Sequence, residues 1–168
     1  MPRTALIVVV PEVEPLVGEW RERYDNASLG IPAHVTLLFP FVSSEAVDRA
    51  LLDELRALFA TRPAFSFSLP RVARFPEVAW LAPEPDGPFR SLTELIVARY
   101  PDYPPYEGIH DGVIPHLTVA KGGSDLQDEV EAALSPHLPI HSEARHVTLL
   151  VEDDVGRWRV SEAFPLPL

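Results

Sequence analysis

Pro115-His116-Leu117-Thr118-Val119 is the stretch from which this chain can be understood, and His34-Val35-Thr36-Leu37 is an earlier copy of its pattern. In both stretches a His and a Thr are each followed by an apolar residue. Successive side chains of a strand point to opposite faces, so each copy predicts a strand with an imidazole and a hydroxyl on one face and apolar anchors on the other. Two such strands facing one pocket would supply two titratable groups and two hydroxyls, which suits acid–base chemistry on a phosphate.

The composition is that of an ordinary soluble domain. The chain has 168 residues, of which 46% are hydrophobic and 23% charged, enough for one sizeable domain or two small lobes that share a core. The absence of cysteine excludes disulfides and thiolate metal sites. The apolar run Ala5–Val10 is stopped by Pro11; it is too short for a signal peptide or a membrane span and predicts a buried strand. We therefore expect a cytoplasmic protein.

The net charge of −11 limits the partners of this chain. Lys121 is the single lysine, and the sequence contains no Arg-rich run or basic helix face, so an extended nucleic-acid surface is not expected. A small substrate fits better, such as a nucleotide or an RNA end held by a few local groups. We expect a monomer without membrane contact.

The order of predicted elements occurs twice along the chain. The first half reads as strand 5–10, helix 12–25, motif strand 34–41, a helix from an N-cap at Ser44 to about residue 60, and a long strand 64–75 that bends at Pro70. The second half reads as strand 78–82, helix 89–100, motif strand 115–121, helix 124–134 opened by the capping-box pattern Ser124-x-x-Gln127, long strand 140–151 and final strand 158–164.

This repetition predicts an internal duplication, with the motif histidines 82 residues apart. The fold class that follows is α+β, with two pseudo-symmetric lobes, each an antiparallel sheet with helices on its outer face, and a central groove between them. We expect a single bilobal domain over residues 1–168, with approximate lobes 1–76 and 77–168 that interleave. The His and Thr side chains would point into the groove.

The pattern occurs a third time, at His146-Val147-Thr148-Leu149, so the pattern by itself is weakly specific. His34 and His116 each follow a Pro-containing loop, and each strand then leads through a turn into a helix. His146 instead lies inside a strand that leads into another strand, and subtracting the 82-residue offset places it at Ala64, outside the first motif strand. We predict a histidine near the rim of the sheet, without a catalytic role.

The stretches Pro32–Phe41 and Pro115–Ala120 resemble the paired motifs of the 2H phosphoesterases, in particular the bacterial 2′-5′ RNA ligase-like cyclic phosphodiesterases. The resemblance covers nearly the whole chain. It implies a bilobal fold and a metal-independent phosphoesterase without a cofactor, which acts at a ribose 2′ position and commonly opens 2′,3′-cyclic phosphates.

Carried over by position, the resemblance implies that His34 and His116 are catalytic and that Thr36 and Thr118 hold the phosphate. Many members have Arg or Lys just after the second motif, where this chain has Lys121. Strict alternation would bury Lys121, so its role requires the strand to end or twist there. Opening a cyclic phosphate needs one imidazole as base and the other as acid, and histidine can do either near neutral pH. The sequence leaves open which is which.

Further candidates for substrate binding are Phe41, at the end of the first motif strand, and Tyr106, in the loop before the second. Tyr106 and its neighbour Tyr103 could stack on a base, or they could simply pack a Pro-rich loop. A metal site is not expected, because His137 and His141, although four residues apart, lie among prolines that break a helix.

Two alternatives to a phosphodiesterase stay open at this point. The first is a non-catalytic domain that binds a nucleotide or an RNA end in the same groove. Binding alone does not require two proton carriers, so the presence of both histidines with both threonines favours an enzyme. The second is a true 2′-5′ RNA ligase, which the charge of −11 disfavours.

Overall fold

The computed structural model describes residues 2–105 and 114–168, in which antiparallel sheets carry helices on their outer faces. The elements of these residues are β1 Thr4–Val9, α1 Glu14–Tyr24, β2 His34–Leu38, α2 Arg49–Phe59, β3 Phe65–Leu69, β4 Val72–Phe75, β5 Val78–Leu81, α3 Gly87–Arg99, β6 Leu117–Lys121, α4 Ser124–Leu134, β7 Ile140–Ala144, β8 His146–Glu152 and β9 Trp158–Pro165.

The strands form two lobes and a connecting pair. The first sheet has the order β2-β1-β8-β9, the second has the order β4-β5-β6, and β3 pairs with β7. Each sheet therefore combines strands from both halves of the chain. The α+β fold with two sheet lobes is confirmed.

The two predicted long strands are each divided, which is a correction. Residues 64–75 form β3 and β4, separated by Pro70, which has no N–H to continue a ladder. Residues 140–151 belong to β7 and β8, separated at Arg145. The early parts, β3 and β7, pair with each other, whereas β4 joins the second sheet and β8 the first. The exchange of β4 and β8 ties the two lobes together.

The two halves correspond closely in length. β7 begins 75 residues after β3, and α4 begins 75 residues after α2. The offset of 82 applies only to the motif strands, because the connection from α3 to β6 is longer than that from α1 to β2. Each motif strand lies at the edge of its sheet, β2 beside β1 and β6 beside β5.

The motif strands β2 and β6 lie against each other, and each is covered by the helix of the other half. α1 packs on β6 and α3 packs on β2. Thr93 on α3 donates a hydrogen bond to the Leu37 carbonyl of β2 at 2.7 Å. One buried apolar core extends through both lobes, from Leu6 to Phe164. This crossed packing fixes the two motif edges relative to each other.

The start of α2 differs from the prediction. The helix begins at Arg49 and is capped by Asp48, whose carboxylate accepts the Leu51 N–H at 2.8 Å. Ser44 instead starts a separate 3₁₀ turn that ends at Ala46. Both side chains can cap a helix, and the one whose backbone is extended at the right position does so.

The helix at 124–134 is confirmed, but its predicted capping box is wrong. The N-cap is Gly123, without a side-chain hydrogen bond, so Ser124 lies one position too late to cap. The buried Gln127 amide instead donates to the carbonyls of Phe75 at 3.1 Å and Gly122 at 3.2 Å. Gln127 therefore ties α4 to the turn regions of the second sheet.

Candidate active site

The predicted alternation of the two motifs is present in both strands. Val35, Leu37, Leu117 and Val119 are buried in the core. His34, Thr36, His116 and Thr118 are half-buried on the other face. The two imidazoles and two hydroxyls thus lie on the inner faces of the two adjacent sheet edges.

A β-bulge interrupts both motif strands at the same place. Thr36 pairs with Ile7 and Leu38 with Leu6, so Leu37 is an extra residue in β2. Thr118 pairs with Trp80 and Ala120 with Ala79, so Val119 is the corresponding extra residue in β6. A bulge re-aims the side chains that follow it and is frequent next to active sites.

The second bulge resolves the position of Lys121. Strict alternation from Thr118 would bury this side chain, but the extra residue reverses the faces beyond it. Lys121 pairs with Val78, and its side chain is 61% exposed. Its Nζ lies 3.5 Å from Oδ1 of Asp25, at the end of α1. The strand does turn here, as a role for Lys121 requires.

The two histidines are oriented in the same way. His34 Nδ1 lies 2.7 Å from the carbonyl oxygen of Pro32, and His116 Nδ1 lies 2.7 Å from that of Ile114, in each case two residues earlier. A carbonyl only accepts, so Nδ1 carries the proton in both rings. Nε2 is then the nitrogen left to accept or donate a proton in the groove.

The surroundings of the histidines favour their neutral forms to different extents. Burial lowers the pKa of His34 to about 4, although its bond to the Pro32 carbonyl acts in the opposite direction, and the charges of Arg21, His116 and Lys121 lower it further. Burial also lowers the pKa of His116, but there the bond to the Ile114 carbonyl and the negative charge of Asp25 raise it. The pseudo-symmetric pair is therefore electrostatically unequal.

His116 lies against an aromatic wall that the sequence analysis did not identify. Phe75 stacks on Trp80 with ring centroids 4.5 Å apart, and His116 meets them edge-on at 5.2 Å and 5.8 Å. Trp80 is 7% exposed, and its indole N–H has no hydrogen-bond partner among the described residues. Only the register of β5 against β6 reveals this wall, because it places Trp80 opposite Thr118.

A cavity of about 690 Å³ opens beside this wall. Trp80, Ile114 and Pro115 contribute to its lining, together with the polar side chains Ser68 and Arg71. The cavity offers room for a ribose or a base next to the second motif.

A second group missed by the sequence analysis is a buried charged network under the first motif. The Arg21 side chain is 1% exposed; it donates to the Ile31 carbonyl at 3.0 Å, to Asn26 Oδ1 at 2.8 Å and to Asp25 Oδ2 at 3.3 Å. Glu14 accepts the Ala33 N–H. The available signal was a charged residue four positions after Val17 on the apolar stripe of α1.

The aromatic candidates are not brought to the groove, which corrects the expectation for Phe41. β2 ends at Leu38, so alternation no longer decides where Phe41 points. Phe41 is 4% exposed and packs edge-on against Tyr100 at 5.2 Å and Tyr103 at 5.6 Å. Tyr103 is thereby part of the core packing, and Tyr106 lies outside the described residues.

The third copy of the pattern lies on the same inner face as the first. Ile7 of β1 pairs with Thr36 on one side and with Thr148 of β8 on the other, so the two motifs are in register about 10 Å apart. His146 is exposed and pairs with Pro165 of β9. The strand that meets β6 is β2, so β1 separates His146 from the facing motif edges.

Two further findings concern residues 2–105 and 114–168. They contain no group of three or more His, Cys, Asp or Glu side chains arranged to hold a metal ion. None of their helices has both the length and the apolar composition needed to cross a membrane.

The chain belongs to the 2′-5′ RNA ligase superfamily, the 2H phosphoesterases, whose family model matches residues 9–156. The resemblance inferred from the motifs is thereby confirmed at the level of the family.

Curated relatives match along nearly their whole length. One from Geobacillus kaustophilus, named "Putative phosphoesterase", is 24% identical over 170 residues, which cover 94% of this chain and 93% of the relative. Another of that name, from Bacillus licheniformis, is 29% identical over 168 residues and covers 95% of this chain and 96% of its own.

Solved structures share the fold. E. coli LigT in complex with 3′-AMP matches with a TM-score of 0.64 at 18% identity and covers 100% of both chains. TT0787 of Thermus thermophilus matches with a TM-score of 0.58 at 19% identity, over 98% of this chain and 97% of its own.

Proposed function

We propose that this protein is a metal-independent phosphoesterase that acts on a 2′,3′-cyclic phosphate or a 2′-5′ phosphodiester of a nucleotide or RNA end. The observation that carries this proposal is the matched pair of imidazoles. Both motif strands lie at facing edges, and both histidines bond through Nδ1 to the carbonyl two residues earlier, which leaves Nε2 of each for the substrate. The phosphoesterase names of the relatives agree with it.

The chemistry needs one proton to leave water and one to reach ribose. The water oxygen forms a bond to phosphorus while one imidazole takes its proton, and the P–O bond to ribose breaks as the other imidazole protonates the leaving oxygen. Each positioned transfer typically contributes about 10²–10⁴-fold. Thr36 and Thr118 are placed to donate to the non-bridging oxygens, where charge accumulates in the transition state.

The unequal surroundings divide the two roles. His34 stays neutral down to about pH 4 and suits the base. His116 has a carboxylate, Asp25, acting on it and suits the acid, since a nearby negative charge stabilises its protonated form. A bound phosphate dianion or monoanion adds negative charge at the same place.

A nucleotide-binding role without catalysis is the second candidate. The observation that favours it is the set of E. coli LigT structures, which include complexes with 3′-AMP and with ATP. Those ligands show that a protein of this fold holds small nucleotides. They do not account for two oriented imidazoles, so the enzyme remains our proposal.

Turnover of 2′,3′-cyclic nucleotides and 2′-5′ dinucleotides, measured with a chelator present, tests the proposal. Wild type is compared with His34→Ala, His116→Ala and His146→Ala. We expect the first two changes to reduce kcat by at least about 10² each and the third to leave it unchanged. Full activity of His116→Ala would refute the site. An inactive wild type that binds these nucleotides tightly would favour the binding role.

A further inference from the structure

The strongest asymmetry of the molecule is a line of three charges that joins the two motif regions. Arg21 and Asp25, on the last turn and at the end of α1, have side chains that are only 1% and 2% exposed. Asp25 Oδ2 accepts from Arg21, while Oδ1 is buried without a hydrogen-bond donor among the described residues and faces Lys121 Nζ at 3.5 Å. Lys121 belongs to β6 and to the other lobe.

This line is not required for the stability of α1. An acidic side chain at the C-terminal end of a helix is unfavourable for the helix dipole. Burial raises the pKa of the Asp25 carboxyl, and the charges of Arg21 and Lys121 act to lower it. A buried carboxylate that is costly in its own helix but points at an exposed ammonium across the lobe boundary indicates a role at the groove.

The second half of the duplication has no such line. With the 75-residue offset of the helices, Arg21 corresponds to Ile96 and Asp25 to Tyr100 on α3. Lys121 corresponds to Phe39, with the 82-residue offset of the motif strands. Ile96 is fully buried in the apolar core. A duplicated scaffold thus carries charge on one side only, beneath one of two otherwise matching motifs.

We propose, on the basis of the proposed function, that Asp25 is a positioning residue that holds the Lys121 ammonium over the groove for the substrate phosphate and presents a negative charge to His116. Arg21 anchors the carboxylate from below. Because Arg21 also bonds to the Ile31 carbonyl, the same line fixes the loop that leads into His34. One buried carboxylate thereby coordinates the two motifs.

The charges that face the two imidazoles define the expected effects. In the described part of the chain, His116 faces Asp25, and His34 faces Arg21, Lys121 and His116. β5, which packs beside β6, presents only Trp80 and other uncharged residues to His116. Loss of the Asp25 charge should therefore act on His116, and loss of the Lys121 charge on His34.

Steady-state kinetics over pH with a 2′,3′-cyclic nucleotide tests this assignment. Asp25→Asn should move the alkaline limb of kcat/KM to lower pH by about one unit, because His116 loses a stabilising charge. Lys121→Gln should raise KM about tenfold and move the acidic limb to higher pH, whereas Lys121→Arg should keep KM within about threefold of wild type. The double variant Asp25→Asn/Lys121→Gln should have nearly the KM of Lys121→Gln alone, since both changes remove one contact.

Glu162→Gln is the matched control. It also removes one negative charge from an ion pair, with Arg56 at 2.9 Å, but on the outer side of the molecule between α2 and β9. Its KM and pH limbs should equal those of wild type. Lys121 is exposed, so its variants test the proposal even where Asp25→Asn does not fold.

The outcomes separate this inference from the function on which it rests. Lys121→Gln with unchanged KM and unchanged pH limbs would overturn the role of the line, and so would Asp25→Asn that melts earlier but keeps the wild-type pH profile. Full activity of both His34→Ala and His116→Ala would instead overturn the proposed function. Inactive histidine variants beside an unaffected Lys121→Gln would leave the function and remove only this inference.

Discussion

Acidification should destabilise the folded protein through His34. Its pKa of about 4 in the folded state lies about 2.5 units below the ordinary 6.5, which corresponds to about 3.4 kcal/mol between the two protonation states. Because the folded pKa is depressed, the unfolded chain binds the proton more readily at pH 4 to 6.5. Stability is therefore complete above pH 6.5 and falls as the pH drops towards 4, by about 2.5 kcal/mol at pH 4.5.

The assay is urea unfolding at pH 7.5 and 4.5 for wild type and His34→Gln. Other groups titrate in this range, so the informative quantity is the difference between the two proteins. Wild type should lose about 2.5 kcal/mol more than His34→Gln between these pH values. His146→Gln, which changes an exposed histidine, should follow wild type. Equal losses in wild type and His34→Gln, or an NMR titration of His34 near pH 6.5, would refute the argument.

Three substitutions away from the catalytic groups test the packing around the site by urea unfolding. Gly30→Ala should cost more than about 1 kcal/mol, because φ is +95° and the new Cβ would meet the carbonyl oxygen of Trp158; a neutral result would contradict this backbone conformation. Thr93→Val should cost about 1–3 kcal/mol and lower kcat, since the Leu37 carbonyl at the bulge loses its donor. Gln127→Leu, which leaves two buried carbonyls without this donor, should cost at least about 1 kcal/mol, and a stabilised variant would show that those bonds contribute nothing.

Much of the fold was accessible from the sequence because it rests on local periodicity. The alternation in the motif strands, the helix at 124–134 and the repeated element order all follow from patterns within a few residues. The strand breaks near Pro70 and Arg145 were missed because continuous β-type patterning does not reveal that a chain changes sheets. The N-cap at Asp48 was missed because two capping residues lay close together and only the backbone selects one.

The candidate site divides in the same way. His34, Thr36, His116 and Thr118 were found because the motif is local and occurs twice in the same element order. Phe41 was misplaced because alternation was extended past the end of β2. The partners of His116 could not be found without the register of β5 against β6.

By itself, the sequence determined that each motif presents a histidine and a threonine on one face of a strand, since that depends only on the two-residue period of a strand. The tertiary structure decided everything that depends on which segments meet. It placed the two motif edges together through the exchange of β4 and β8, and it turned Lys121 outward through a bulge. It also brought Asp25, almost 100 residues away in the chain, to the Lys121 ammonium. These contacts join distant segments through strand register and helix packing, which no local pattern records.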